Sequence, residues 1–130
     1  MLKASPPEVR VRVGVRWRDL DLLGHLNQSV YHEYLEEGRA ALFEQLGLRV
    51  AFVLARVELD YRSEIRRDHG EVEVVVRPSK VGRSSVTVFN EIVRPDGTVA
   101  ATGTSVLVAW DPDERRSRVL TEEERAALGV

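Results

Sequence analysis

The chain of 130 residues contains no cysteine. That excludes disulfides, thiolate nucleophiles and cysteine-ligated zinc. Lysine is nearly absent as well: Lys3 and Lys80 are the only two, so the basic charge is almost all arginine. Aromatic residues make up 6% and are dispersed, which leaves no platform for stacking bases. The formal net charge of -2 lacks the basic excess expected of a nucleic-acid partner. No apolar run is long enough to span a bilayer. The opening MLKASPPEVR has no apolar stretch of the signal-peptide kind. The expectation is a soluble, cytoplasmic protein with no nucleic-acid or membrane partner.

Familiar catalytic strings are also missing. There is no Gly-x-Ser-x-Gly elbow, no phosphate-cradling loop and no dinucleotide fingerprint. His25 and His32 are seven apart and His69 is remote, a poor spacing for a metal site. Neither metal nor cofactor is expected.

What is present is regular alternation. After a tail ending at Ser5-Pro6-Pro7, the residues Val9, Val11, Val13 and Val15 alternate with Arg10, Arg12 and Arg16, the period of a half-buried strand. Tyr31, Tyr34, Leu35, Gly38, Ala41, Leu42 and Leu46 follow at the spacing of a helix with one buried face. Asn27 or Ser29 is expected to cap its start, and Gly47 to end it. Gly38 inside the helix costs about 1 kcal/mol relative to alanine, which points to a close packing partner.

Four strand-like segments come next. Val50 to Ile65 is expected to be long, with Val53, Ala55, Val57, Leu59 and Tyr61 on one face. Arg67 to Gly70 reads as a turn, and Glu71 to Val81 as a strand. Arg83 to Val93 follows, and Pro95-Asp96-Gly97 is a hairpin signal. Thr98 to Trp110 is the last long strand, carrying the small residues Ala100, Ala101, Gly103 and Ser105. Thr121 and Glu124 fit a capping box for a short helix over 121–128. Hairpin-length loops make the pairing antiparallel. One antiparallel sheet must bury one helix, an α+β arrangement in a single domain over 1–130 with its core at about 9–110.

The chemistry concentrates between Asp19 and Arg39. Asp19 and Asp21 lie two apart near a strand end, and the spacing leaves them tied as candidate acid/base groups. His25 follows four residues after Asp21, beyond a glycine. Asn27 adds an uncharged amide at the helix entrance. The first N–H groups of a helix have no intrahelical partners and sit at its positive end. Such donors stabilise the oxyanion formed when a thioester or ester is attacked. A carboxylate beside a helix N-terminus is therefore a minimal hydrolase that needs no serine, cysteine or metal.

The string Arg16-Trp17-Arg18-Asp19-Leu20-Asp21-Leu22-Leu23-Gly24-His25-Leu26-Asn27-Gln28, followed by Tyr31, Tyr34, Glu37 and Arg39, resembles the signature of hotdog-fold acyl-CoA thioesterases. It is closest to the 4-hydroxybenzoyl-CoA thioesterase-like branch. The resemblance continues through Val57 to Tyr61 and Gly82 to Ser85, covering about Val9 to Trp110. It implies a hotdog fold, with the long helix as the sausage and the antiparallel sheet as the bun. It implies an acyl-CoA substrate and homodimers or homotetramers with active sites at the subunit interface. By the resemblance Asp21 is the catalytic carboxylate, acting as nucleophile or as base on water. The backbone N–H near Gln28 is the oxyanion donor, His25 and Asn27 line or orient the site, and Tyr31 contacts substrate. Arg56, Lys80 and Arg83 are candidates for the coenzyme A phosphates. Gln28 departs from the second asparagine of many members, the segment after Tyr61 departs from their Pro and Gly-Asp pattern, and Gly38 replaces a common alanine. A non-catalytic module that binds acyl-CoA or acyl-carrier protein, and a hydratase on the same fold, are the competing readings.

Overall fold

The computed structural model describes residues 7–48 and 51–130. The Ser5-Pro6 tail, Lys3 and the Val50 start of the second strand fall outside them.

The sheet contains β1 (Val9–Gly14), β2 (Phe52–Tyr61), β3 (Glu71–Val81), β4 (Ser85–Val93), β5 (Val99–Asp111) and the short β6 (Arg116–Ser117). The helices are α1 (Tyr31–Leu46) and α2 (Glu122–Ala127). The strands run in the order β1-β3-β4-β5-β2, with β6 on β5, and every described pairing is antiparallel. This is the α+β arrangement expected: one sheet curled over one long helix.

The curl follows from residue size. Gly38 presents no side chain where α1 crosses β3. A Cβ there would lie 2.7 Å from both Val74 Cγ1 and Val76 Cγ2. Gly103 does the same where β5 meets β2, since a Cβ would lie 2.0 Å from the Glu58 carbonyl oxygen. Between helix and sheet sit Tyr34, Leu35 and Leu42 from α1 and Val74, Val76, Val88 and Ile92 from β3 and β4, all fully buried. At about 25 cal/mol per Å² of apolar surface removed from water, this layer is the main driving force for folding.

Three local expectations change. The second strand ends at Tyr61, not Ile65, because Arg62 and Ser63 both turn their N–H groups to the Ala100 carbonyl, at 2.8 and 3.1 Å. Within it the pairing with β5 shifts between Leu54 and Arg56. That bulge puts Phe52 on the core side with Leu59 and leaves Val53 and Ala55 exposed. Neither Asn27 nor Ser29 caps α1. The N-cap is Val30, with no side-chain hydrogen bond, and the Asn27 side chain instead closes a turn by accepting from the Ser29 N–H and hydroxyl at 3.1 and 3.0 Å. Of the two short 3-10 turns, Arg67–His69 falls within the turn expected over Arg67 to Gly70, while Trp17–Asp19 had no periodic signal. At the other end, Gly47 closes α1 with φ of +69, and Thr121 and Glu124 form the capping box of α2.

Candidate active site

The loop between β1 and α1 crosses one end of the sheet and is held by its own backbone. Leu20 and Leu26 bridge each other, and His25 bridges Arg66. The Leu26 N–H donates to the Ile65 carbonyl at 2.6 Å, and both side chains are buried. The segment after β2 thus serves as a rail for the loop.

The two aspartates have different surroundings. Asp19 is buried, with Oδ2 accepting from the Tyr34 hydroxyl at 2.7 Å and the Arg16 N–H at 3.0 Å. Its carboxylate also accepts from the Arg16 guanidinium Nε at 3.1 and 3.2 Å. Burial alone would raise its pKa, but the hydrogen bonds from Arg16 and Tyr34 outweigh burial and hold it below the ordinary value. Its bonding capacity is taken up by the fold. Asp21 is partly open to solvent. Its Oδ1 accepts from the Leu23 N–H at 2.9 Å, its N–H donates to the His25 carbonyl at 2.9 Å, and its own carbonyl accepts from the Gly24 N–H at 3.1 Å. This tight turn requires Gly24 at φ of +82. A Cβ at Gly24 would meet nothing within 4 Å, so conformation rather than close approach demands the glycine.

Asp21, His25, Asn27, Gln28 and Tyr31 come together around one open cavity of about 470 Å³. Tyr61, Arg62, Ser63 and Glu64 from the end of β2 complete the wall. Tyr31 and Tyr61 meet edge to face with ring centroids 4.9 Å apart, and the Tyr61 hydroxyl donates to the Gln28 carbonyl at 3.2 Å. Burial, with smaller contributions from Tyr61 and Glu64, pushes the Tyr31 hydroxyl pKa up, so it stays a neutral wall of the cavity at ordinary pH. The N–H groups of Gln28 and Tyr31 donate to no described residue. The cavity is therefore lined by Asp21 and by residues at the positive end of α1 whose backbone N–H groups have no described partner.

Arg56, Lys80 and Arg83 lie elsewhere. Arg56 is exposed on β2 and pairs with Glu58. Lys80 and Arg83 are exposed at the β3–β4 connection. Tyr61 pairs with Ala101 and Ser85 with Val108, so that connection is roughly 23 Å along β5 from the cavity end. Glu64, which the pattern of residues did not single out, faces His25. Its Oε1 lies 3.5 Å from His25 Nδ1, while Asp21 Oδ2 lies 3.2 Å from His25 Nε2. The two carboxylates approach opposite nitrogens of the ring, so the three groups do not converge on a point. Among the described residues no group of three or more His, Cys, Asp or Glu is placed to hold a metal ion. No described helix is long and apolar enough to cross a membrane.

A curled antiparallel sheet around one long helix, with a polar cavity at the helix entrance, defines the hotdog class. The chain belongs to the thioesterase-like superfamily, which it matches over residues 15–128. It is similar to a Thermus thermophilus thioesterase solved in complex with coenzyme A and zinc, with 38% identity, a TM-score of 0.82, and coverage of 92% of this chain and 90% of that one. A predicted thioesterase from Bacillus stearothermophilus is 26% identical with a TM-score of 0.85, covering 94% of each chain. An uncharacterized Bacillus subtilis protein, YsmA, is 28% identical over 122 residues, 90% of this chain and 82% of its own.

Proposed function

We propose that the protein is an acyl-CoA thioesterase, releasing free acid and coenzyme A. The observation that carries this reading is the cavity lined together by Asp21, Gln28 and Tyr31, the last two with backbone N–H groups that donate to no described residue. The family supports thioester chemistry, and the coenzyme A bound to the Thermus relative supports the thiol half of the substrate.

The thioester carbonyl lies with its oxygen toward the Gln28 and Tyr31 N–H groups. Asp21 attacks the carbonyl carbon directly or takes a proton from a water that does. The developing oxyanion is stabilised by backbone dipoles already in place, so no reorganisation is needed as charge forms. On the water route the C–S bond then breaks and the proton held by Asp21 goes to the departing sulfur. On the direct route the thiolate leaves first, and water then hydrolyses the acyl–Asp21 anhydride, supplying that proton and regenerating Asp21. His25 keeps Asp21 oriented, and Asn27 holds the turn that presents Gln28. The Tyr31–Tyr61 pair forms the acyl-facing wall.

In this reading the chain is one hotdog domain acting in the cytoplasm, as a homodimer or homotetramer with the cavities at the subunit interface. The outer edge of β2 supports such pairing, since β2 ends the strand order and exposes Val53 and Leu54. Arg56, Lys80 and Arg83 then meet coenzyme A phosphates from across that interface, as none lines the cavity of its own chain. Arginine suits such phosphates because its fork is planar and permanently charged.

The test is thiol release from short, medium, long and aromatic acyl-CoAs by the wild type and by Asp21→Asn. Asparagine keeps the acceptor for the Leu23 N–H, so the turn survives. Loss of the carboxylate should lower kcat by about 10²- to 10⁴-fold. Equal turnover in the variant overturns Asp21 as the catalytic group. Tight binding without hydrolysis by the wild type would instead favour the non-catalytic binding module.

A further inference from the structure

The segment Ser63–Arg66 takes part in the cavity although nothing in its residue pattern marks it. It follows the end of β2 and is fixed at several points. The Arg94 guanidinium donates to the Glu64 carbonyl at 3.1 Å, and the Ile65 carbonyl holds the Leu26 N–H. Arg66 Nε is tied to Asp68 Oδ1 at 2.9 Å, and its Nη1 is 3.5 Å from Glu64 Oε2. Glu64 therefore meets a cation on one carboxylate oxygen and His25 on the other. Beyond His25 stands Asp21. A line of alternating groups, Asp68–Arg66–Glu64–His25–Asp21, ends on the carboxylate of the cavity.

We propose that Glu64 is a positioning residue for the Asp21 site, acting through His25. This rests on the acyl-CoA thioesterase reading above. A neutral imidazole has one N–H and one bare nitrogen, and its neighbours choose which is which. Carboxylates face both ring nitrogens, Asp21 Oδ2 at 3.2 Å from Nε2 and Glu64 Oε1 at 3.5 Å from Nδ1. Once Asp21 has taken a proton, Glu64 is the ionised carboxylate left facing the ring, and it draws the ring proton to Nδ1. Nε2 is then bare toward Asp21, an acceptor for the proton that Asp21 has acquired.

Water adds to the thioester carbon while Asp21 takes one of its protons. The Asp21 O–H donates to His25 Nε2, and the proton is shared between them. When the C–S bond breaks, the electron pair leaves on sulfur, and that same proton passes to the thiolate. Asp21 and His25 return to their starting forms. Glu64 gains and loses nothing. It fixes the ring and offsets the positive charge that His25 carries while the proton is shared. A third group orienting a base in this way is the logic of serine hydrolase triads.

The experiment is a double-mutant cycle on thiol release from the best acyl-CoA found in the panel. Wild type, Glu64→Ala, His25→Ala and the double variant are compared, with Glu64→Gln as a fifth protein. Glu64→Ala should lower kcat by about tenfold or more with KM nearly unchanged. In the His25→Ala background it should have almost no further effect, since residues acting as a unit are strongly non-additive. Glu64→Gln retains an acceptor for Nδ1 and should recover part of the loss. If the two losses multiply, or Glu64→Ala matches wild type, Glu64 does not act through His25. Should Glu64→Ala not fold, the Glu64→Gln cycle with His25→Ala carries the same two outcomes. A wild type that releases no thiol from any substrate refutes the thioesterase reading itself, a result distinct from additivity in an active enzyme.

Discussion

The Tyr34 hydroxyl sits 2.7 Å from Asp19 Oδ2 at the root of the β1–α1 loop. It is a hydrogen bond to a buried charge, of the kind worth about 1.5–3 kcal/mol. Tyr34→Phe should cost about that much in urea unfolding while leaving the Asp21 cavity intact. The pH dependence identifies the bond. Asp19 is held below its ordinary value of 3.8, so its contribution is complete above that pH and is lost as pH falls through the lower folded value. Burial, then the bond to Asp19, raises the Tyr34 hydroxyl well above its ordinary 10.0, so its share is complete below pH 10 and is lost on further rise. The gap between wild type and Tyr34→Phe should therefore be flat between about pH 5 and 9. It should narrow below about pH 4 as Asp19 protonates. A gap unchanged down to pH 2 would mean that Tyr34 contributes only packing. The same bond explains why two aspartates that looked equivalent in the sequence are not. Their difference lies in which one reaches Arg16 and Tyr34, a matter of tertiary position that spacing does not encode.

At the scale of elements, alternation and helical spacing were enough to read the long strands, α1 and the capping box of α2, because these segments carry apolar residues at the regular spacing of their class. The β2 bulge and the Ser63–Arg66 rail were not readable. One residue of slippage leaves composition unchanged, and Glu64 looks like any exposed glutamate until the segment folds back on His25. Gly38 was legible as an anomaly, and the structure supplies its cause in Val74 and Val76. Alanine at this position should improve helix propensity by about 1 kcal/mol. Its Cβ would lie 2.7 Å from two β-branched side chains on β3, which have little rotamer freedom to move aside. Overpacking of this kind costs about 1–3 kcal/mol. Gly38→Ala should thus lower the urea midpoint, against the direction that propensity alone gives. The penalty should shrink in a Val74→Ala background, where one of the clashing methyls is gone. Equal penalties in both backgrounds would show that the strain lies in the helix and not at its contact with β3.

For the whole molecule, the question is what becomes of the outer edge of β2. Its neighbour on one side is β5, and its other side is unpaired among the described residues. Unpaired edges are templates for another strand, and proteins that leave them free usually protect them with lysine or proline. β2 has neither, and Val53 and Leu54 are 39% and 44% exposed on it. Arg56 and Glu58 carry opposite charges two residues apart on the same strand, so an antiparallel copy centred between them places each opposite its complement. In the proposed dimer a two-fold axis through the edge would join two sheets into one, with both cavities beside the seam, since each includes Tyr61 from the end of β2. Leu54→Lys adds charge to the edge without touching Asp21, His25 or Glu64. Light scattering should show wild type at twice the chain mass or a multiple of it and the variant shifted toward a single chain. If the partner completes the coenzyme A site, KM should rise as the assembly is diluted or disrupted, and high protein concentration should restore the variant. A variant that is monomeric yet fully active at every concentration would show that one chain carries the whole site.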